Sequence, residues 1–285
     1  MVATPAGISN AWPFVSLKGD RASDLVSSLE RFTLRTDLRH TTLSSVERNS
    51  GVTIKTRSHR CWCDACLELD AEPYDRLLWD IGIVSNCSLH QRPLRRHCPT
   101  CGKVQSLGSA HSQIMRCAAC RAPLTGVGDQ VPLQPVRYEL WVSEQVASFI
   151  AHFDSASSDR SAMVANLETT IASCGGFKPM ARQLGASPST ILYWLNGTYG
   201  MTIESILRWA WFTSMPAVDL LSRKIELHEV TIQEPAPRAE HKKWWKRPPL
   251  TSADYLAALS RFLQQQPLAI PSIVGISRML GATSF

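Results

Sequence analysis

The residues of this sequence with the clearest chemistry lie between positions 61 and 120, where eight of its nine cysteines fall. Thiolate sulfur and imidazole nitrogen are ligands of Zn²⁺, and two intervening residues allow one tight turn to direct both side chains at a single ion. Four such Cys-x-x-Cys or Cys-x-x-His pairs follow one another along the chain. We therefore predict two structural zinc ions, one bound by Cys63, Cys66, Cys87 and His90, and the other by Cys98, Cys101, Cys117 and Cys120.

The same cysteines allow other interpretations. Buried thiols or disulfides are one, but short-range pairs in a chain without a secretory signal favour metal. A catalytic zinc is another, but such a site keeps one position open for water, whereas each group here supplies four side chains. Cys61 lies two residues before Cys63, so it is an additional candidate ligand and leaves the composition of the first site open. Cys174 lies apart from both groups and is interpreted as a plain buried thiol.

The charge and hydropathy of the chain restrict its partners and surroundings. A net charge of +6 and a pI of about 8.9 favour an anionic partner, and nucleic acid gains affinity for such surfaces by releasing counterions. The sequence has no apolar run long enough for a membrane span and no N-terminal signal peptide, which predicts a cytoplasmic, nucleoid-associated protein without membrane contact. Arg92, Arg95 and Arg96 lie between the two predicted sites, where they either compensate thiolate charge or contact DNA.

Residues 175–213 carry a second functional pattern. Apolar residues at helical spacing lead to a turn containing glycine, after which Ser187 can cap a new helix and Pro188 suits its first position. This order is typical of a helix-turn-helix unit, which places its second helix in the DNA major groove. A protein-binding unit and a plain helical core are the alternatives. The predicted DNA contacts of this unit are Lys178, Arg182, Ser187, Ser189, Thr190, Tyr193 and Asn196.

The C-terminal part begins with a proline-rich linker at 229–250 that contains a basic run with two tryptophans. Its cations can bind a phosphate backbone or an acidic protein surface, and a solvated linker is the alternative. Residues 277–282 resemble residues 181–186, as if a second helix-turn-helix began and stopped before its recognition helix. We therefore expect a truncated form of a longer protein, in which residues 271–285 are poorly ordered or cap another surface. The predicted DNA contacts in the linker are Lys242, Lys243, Lys246 and Arg247.

These patterns together predict a mainly α fold with small β elements, in which tandem zinc ribbons or knuckles are flanked by helical helix-turn-helix domains. The predicted parts are an N-terminal arm with short helices at 1–60, a tandem zinc-binding module at 61–125, a helical domain with the helix-turn-helix at 136–228, the basic linker at 229–250 and a partial second helix-turn-helix at 251–285. Locally, Ser23 is predicted to cap the first helix. Apolar residues at helical spacing are predicted to share one face of a later helix: Tyr138, Val142, Val146, Phe149 and Phe153.

The residues around the ligand pairs also carry a family resemblance, tight over about residues 55–125. They are Arg60-Cys61-Trp62-Cys63-Asp64-Ala65-Cys66-Leu67-Glu68, Tyr74, Leu78-Trp79, Cys87-Ser88-Leu89-His90, Pro93-Leu94 and Cys98-Pro99-Thr100-Cys101-Gly102. In these positions the chain resembles the TniQ/TnsD family, whose members select target sites for transposons together with an AAA+ ATPase regulator. Arg121 departs from the pattern, because such knuckles usually carry glycine after the second cysteine.

The resemblance implies a DNA-binding target-selection adaptor for transposition, which bridges target DNA or a target-bound complex to an AAA+ regulator. Double-stranded DNA and that ATPase are the implied partners, and an RNA-guided targeting complex and a second copy of the chain are further candidates. A zinc-containing helix-turn-helix transcription regulator and a zinc-dependent nuclease use the same parts and remain alternatives. Nothing in the sequence resembles a transposase carboxylate triad or a glycine-rich phosphate loop, so we expect no enzymatic activity.

Overall fold

Helices dominate the computed structural model, which describes residues 19–107, 113–125, 137–232, 234 and 260. Within these residues β-pairing is limited to isolated bridges, which confirms the prediction of a mainly α chain with few strands. The described α-helices are α1 (Asp20–Thr33), α2 (Ser44–Ser50), α3 (Asp64–Leu69), α4 (Arg137–Phe153), α5 (Arg160–Ser173), α6 (Phe177–Leu184), α7 (Pro188–Asn196), α8 (Ile203–Thr213) and α9 (Asp219–Ser222). Short 3₁₀ turns lie at Leu38–Thr41, Leu77–Asp80 and Leu227–Glu229.

The helical body, α4 to α9, forms around apolar faces that the sequence spacing already shows. Val142, Val146, Phe149 and Phe153 of α4 are buried, as predicted, because residues three or four apart share one side of a helix. The helix starts are fixed locally: the Asp159 carboxylate accepts hydrogen bonds from two amides in the first turn of α5. These helices therefore bring their apolar faces into one core.

The segment before the zinc module joins the same core. Leu43, just before α2, and Val46 within it are fully buried with the α4–α8 side chains. The Thr53 amide donates to the Met201 carbonyl (2.9 Å), and the Ile203 amide donates back to the Thr53 carbonyl (3.0 Å). Residues 43–54 therefore pack with the helical body. The predicted domain boundary at residue 60 stays a prediction.

The zinc module has a small core of its own. Trp62, Leu67 and Trp79 lie among the cysteines of both ligand groups, and Leu124 closes the far side. The Trp62 indole Nε1–H donates to the Leu124 carbonyl (3.2 Å), which joins the start of the module to its end. The two ligand groups therefore border one shared set of apolar side chains.

Several predictions lie outside the described residues. These are the basic linker contacts Lys242, Lys243, Lys246 and Arg247, and the partial second helix-turn-helix within 251–285. The chain divides into Met1–Ala236 and Pro237–Phe285, and all described residues except Ser260 belong to the first unit. None of the described helices combines the length and apolarity that a membrane span requires.

Candidate metal centres and nucleic-acid interface

The first ligand group forms where a helix start meets a tight turn. Cys63 immediately precedes α3, and Cys66 lies in its first turn. The Cys66 Sγ is 3.6 Å from the Cys87 Sγ and 3.2 Å from the His90 Nδ1. The same Nδ1 is 3.6 Å from the Cys63 Sγ and 3.7 Å from the Cys87 Sγ. Three sulfurs and one imidazole nitrogen therefore surround one small volume.

The second ligand group is built from two turns and is more open. The Cys98 Sγ lies 3.7 Å from the Cys120 Sγ, and the Cys101 Sγ lies 3.7 Å from the Cys117 Sγ. Cys98 and Cys117 are buried, whereas the other two are exposed. The Gln105 side chain stabilises the turn that contains the buried Cys117. Its Nε2 donates to the Cys117 Sγ (3.3 Å), and its Oε1 accepts from the Ala118 amide (2.9 Å).

These separations fit a tetrahedral zinc ion. With Zn–S of about 2.3 Å and Zn–N of about 2.05 Å, two sulfurs of a tetrahedron are about 3.75 Å apart and a sulfur and a nitrogen about 3.5 Å. A disulfide would bring the sulfurs to about 2.05 Å, and all nine cysteines are free. In each group the four ligand atoms lie within 4.8 Å of one another. The structure thus brings the eight predicted residues together as two groups that can hold two metal ions, with zinc as the matching element.

Three ligand turns of the module share one backbone pattern. In each, the first cysteine accepts a hydrogen bond from the amide four residues later (2.9 to 3.0 Å), and its own amide donates to the carbonyl five residues later (2.8 to 2.9 Å). The residue four positions on is left-handed: Gln91 (φ 50°), Gly102 (φ 69°) or Arg121 (φ 64°). Arg121 therefore adopts the backbone that glycine adopts most readily, and its departure from the family pattern keeps the turn.

The arginines between the two sites are partly engaged by Asp64. The Arg92 Nη1 lies 3.1 Å from the Asp64 Oδ1, and the Arg95 Nη2 lies 2.9 Å from its Oδ2. Although burial acts in the opposite direction, these contacts lower the pKa of Asp64, so the carboxylate is ionised. The pairing supports internal charge compensation, rather than DNA contact, for Arg92 and Arg95.

Cys61 belongs to neither ligand group. Its thiol is buried, and the Arg57 Nη1 donates to its Sγ (2.6 Å). Burial raises the pKa of Cys61 above the ordinary thiol value. The first group is complete with Cys63 as its first sulfur ligand, which removes the ambiguity left by the sequence.

The turn between the α6 and α7 helices, and both limits of α7, are set by local residues. The residue after α6, Gly185, is left-handed (φ 65°). Ser187 then caps α7, since its hydroxyl accepts from the Thr190 amide (3.1 Å), and Pro188 is the first helical residue. Gly197 ends α7 in the left-handed conformation (φ 76°). The start and the end of α7 are therefore determined by neighbouring residues in the sequence.

The outer face of this helix pair holds the predicted DNA contacts of the helical domain. Ile191 and Trp194 are buried and fix which side of α7 faces inward. Residues 169–203 contain no Asp or Glu, so no carboxylate of the pair opposes a phosphate. The Ser187 hydroxyl already accepts the capping hydrogen bond, so it is less available to bind a DNA base. Exposed are Lys178, Arg182, Ser187, Ser189, Tyr193 and Asn196, while Thr190 is half-buried.

Sequence reasoning missed three residues that contact this helix pair or the residues on it. Arg160, from the start of α5, donates through Nη2 to the carbonyls of Trp194 and Leu195 (3.1 Å each), near the end of α7. Arg208 of α8 donates to the last carbonyl of α6 (3.2 Å). Tyr199 is exposed and meets the Tyr193 ring edge-to-face at 5.2 Å. These contacts join separate elements, and no spacing rule in the sequence indicates them.

Comparisons with known proteins add no assignment. No family model matches the chain, and no curated protein matches it in sequence. The TniQ/TnsD resemblance therefore depends on the residues quoted for it.

Proposed function

We propose that this chain is a non-enzymatic DNA-binding adaptor, in which a zinc-stabilised module supports a helix-turn-helix formed by α6 and α7. The observation that carries this proposal is the outer face of that helix pair, which presents hydroxyl, phenol, amide and cationic groups and lacks carboxylates. Lys178 and Arg182 on α6 suit phosphates, while Ser189 and Asn196 on α7 suit base edges. The four protein ligands in each metal group support a structural zinc role.

The zinc module is suited to the same partner. Residues 81–128 contain six Lys or Arg and no Asp or Glu. Asp64 engages Arg92 and Arg95, so the contribution to an anionic partner comes from the remaining cations, such as Lys103 and Arg116. A segment that carries cations and no carboxylate favours an anionic partner.

The proposal extends to target-site selection in transposition, because the ligand pairs and their flanking residues resemble the TniQ/TnsD family. In that role the chain binds target DNA, or a complex already on the DNA, and recruits an AAA+ ATPase regulator. Strand transfer and ATP hydrolysis then belong to the partners. Co-purification of the zinc-loaded chain with an AAA+ regulator from the same locus tests this extension, whereas operator binding without such a partner would favour a transcription regulator.

DNA binding is tested by fluorescence anisotropy with a labelled duplex of about 30 base pairs between 50 and 200 mM salt. Lys178→Gln removes one phosphate contact, so the slope of log K against log salt should decrease in magnitude by about one. Lys224→Gln, an exposed lysine outside the α6–α7 face, is the matched control and should leave the slope unchanged. Asn196→Ala should weaken binding to a preferred sequence more than binding to random duplex. A wild-type chain without affinity at 50 mM salt would refute the proposal, and cut DNA would favour the nuclease.

A further inference from the structure

Two tyrosines form an exposed aromatic pair at the end of α7. Tyr193, in the helix, is 43% exposed, and Tyr199, in the segment that follows it, is 63% exposed. Their ring centroids lie 5.2 Å apart and their planes meet at 89°, which is the edge-to-face arrangement that aromatic rings favour. The pair therefore holds a defined shape while much of its apolar surface remains in water.

The backbone fixes Tyr199 from both sides. On one side, the left-handed Gly197 (φ 76°) turns the chain, and the Thr198 amide donates to the Tyr193 carbonyl (2.9 Å). On the other side, Met201 is buried, and its carbonyl accepts from the Thr53 amide (2.9 Å). Because its position is already restrained, Tyr199 should lose little conformational entropy when a ligand contacts it.

The pair lies within the outer face of α7. Each residue advances about 100° around a helix, so Tyr193 lies on the side opposite the buried Ile191. Ser189 and Asn196, four residues before it and three after it, share that side. Residues 169–203 contain no Asp or Glu. The apolar rings are therefore surrounded by groups that suit a polyanion, which favours DNA over an apolar protein surface as their ligand.

We propose that Tyr193 and Tyr199 contact the C5-methyl group of a thymine in the major groove, and so select thymine at one position of the DNA site. This inference rests on the DNA binding proposed above for the α6–α7 face. The base edges in the major groove present hydrogen-bonding groups and one methyl group, which belongs to thymine. Aromatic rings cannot pair with the hydrogen-bonding groups, but they gain free energy by excluding water from the methyl group.

The test compares thymine with deoxyuridine, which lacks only the C5-methyl group. The full zinc-loaded chain first enriches duplexes of about 30 base pairs from a random library. Fluorescence anisotropy at about 50 mM salt then measures binding to the enriched duplex and to the same duplex with deoxyuridine in place of thymine. Deoxyuridine should weaken wild-type binding about three- to sixfold, as expected for the loss of one buried methyl group. Replacement of one particular thymine should reproduce most of this effect.

Substitutions assign the effect to the rings. Tyr193→Ala and Tyr199→Ala should each bind the two duplexes with nearly equal affinity. Tyr193→Phe and Tyr199→Phe keep the rings and remove the hydroxyls, so they should retain the preference for thymine. Tyr74→Ala, at a tyrosine of the zinc module that is 48% exposed, is the matched control and should also retain it. All three tyrosines are exposed, and circular dichroism verifies that each variant is folded.

Three results would overturn this inference and leave DNA binding by the α6–α7 face in place. One is equal wild-type affinity for the thymine and deoxyuridine duplexes. The second is an enriched site without thymine. The third is a thymine preference that persists in either alanine variant, since the preference would then arise from the shape of the DNA and not from the rings. A wild-type chain that binds no duplex would instead refute both this inference and the proposed function.

Discussion

The same substitution at two cysteines that lie two positions apart should have different effects on the number of bound zinc ions. Cys63→Ser removes a ligand whose sulfur is 3.6 Å from the His90 Nδ1, so the chain should keep one tightly bound zinc instead of two. Cys61→Ser replaces a thiol that Arg57 contacts and that belongs to neither ligand group, so both ions should remain. Because the exchange of sulfur for oxygen is the same in both variants, the difference isolates zinc coordination.

The free energy lost with one zinc ion should exceed the free energy of unfolding of the module. A structural zinc contributes an apparent free energy of about 10–16 kcal/mol, while whole domains are stable by about 5–15 kcal/mol. The first site should therefore unfold in Cys63→Ser, and the core around Trp62 and Trp79 should loosen with it. The helical body has its own core, to which Ile81 and Val84 of the module also belong, and α3, the described helix of the module, has six residues. Far-UV circular dichroism should consequently lose little of its helical signal.

The assay is zinc per chain by elemental analysis after gel filtration in a mild chelator, followed by thermal unfolding. The second site keeps its four cysteines in Cys63→Ser and should retain its ion. Cys174→Ser, outside both groups, controls for general effects of thiol loss. Two ions retained by Cys63→Ser, or one ion lost by Cys61→Ser, would refute the ligand assignment of the first site.

Three further substitutions test features outside the ligands. Gln91→Gly relieves a left-handed backbone conformation (φ 50°) and should raise the free energy of unfolding, measured by urea titration, by about 0.5–1 kcal/mol. Thr100→Gly, at a residue without a left-handed conformation, should lower the free energy of unfolding. Gly197→Ala places a Cβ 2.5 Å from the Arg160 Nη2, so this flexible side chain must leave the α7 carbonyls. The substitution should cost about 1 kcal/mol more than Gly175→Ala, which has nearly the same φ but open space, and an equal cost would contradict the contact. Burial raises the pKa of Asp80 to about 6, so this carboxyl binds more protons in the folded state and its own contribution to stability falls as pH rises from about 4 to 7. Asp80→Asn removes that contribution, so its free energy of unfolding relative to the wild type should rise over this range, to at most about 3 kcal/mol at pH 7, with no difference between the two chains below pH 4.

Local signals in the sequence predicted what they control directly. The metal groups follow from ligand type and two-residue spacing, and these determine which side chains one turn can bring together. The α7 limits follow in the same way from Ser187, Pro188 and Gly197, because capping and left-handed turns involve neighbouring residues. The buried face of α4 follows from helical periodicity.

A local signal can also be overridden. Ser23 was predicted to cap α1, and this was wrong: α1 begins at Asp20, and the Ser23 hydroxyl donates to the Gly19 carbonyl from inside the helix. Serine gains a similar hydrogen bond within a helix or at its start, so its presence alone cannot fix the boundary. The signal that decides here is the left-handed Gly19 (φ 78°), which ends the helical path on the N-terminal side.

Contacts between distant segments were beyond any pattern in the chain. The pairing of Thr53 with the residues before α8, and the reach of Arg160 to the end of α7, each join elements far apart in sequence. These contacts form only after the intervening helices have docked, so neither residue spacing nor helix propensity predicts them. The surface that faces a partner depends on such contacts, and it is therefore less predictable than the metal groups.

The turn that ends with Arg121 shows why the metal pattern is nevertheless robust. A non-glycine residue in the left-handed region costs about 1–2 kcal/mol, and Gln91 and Arg121 both occupy it. The zinc bound by each turn contributes several times more than that. Selection on such turns therefore acts first on the ligands and only weakly on the glycine. A sequence that keeps all eight ligands and loses the glycine is expected to fold in the same way, so ligand spacing is the more reliable basis for assigning this module.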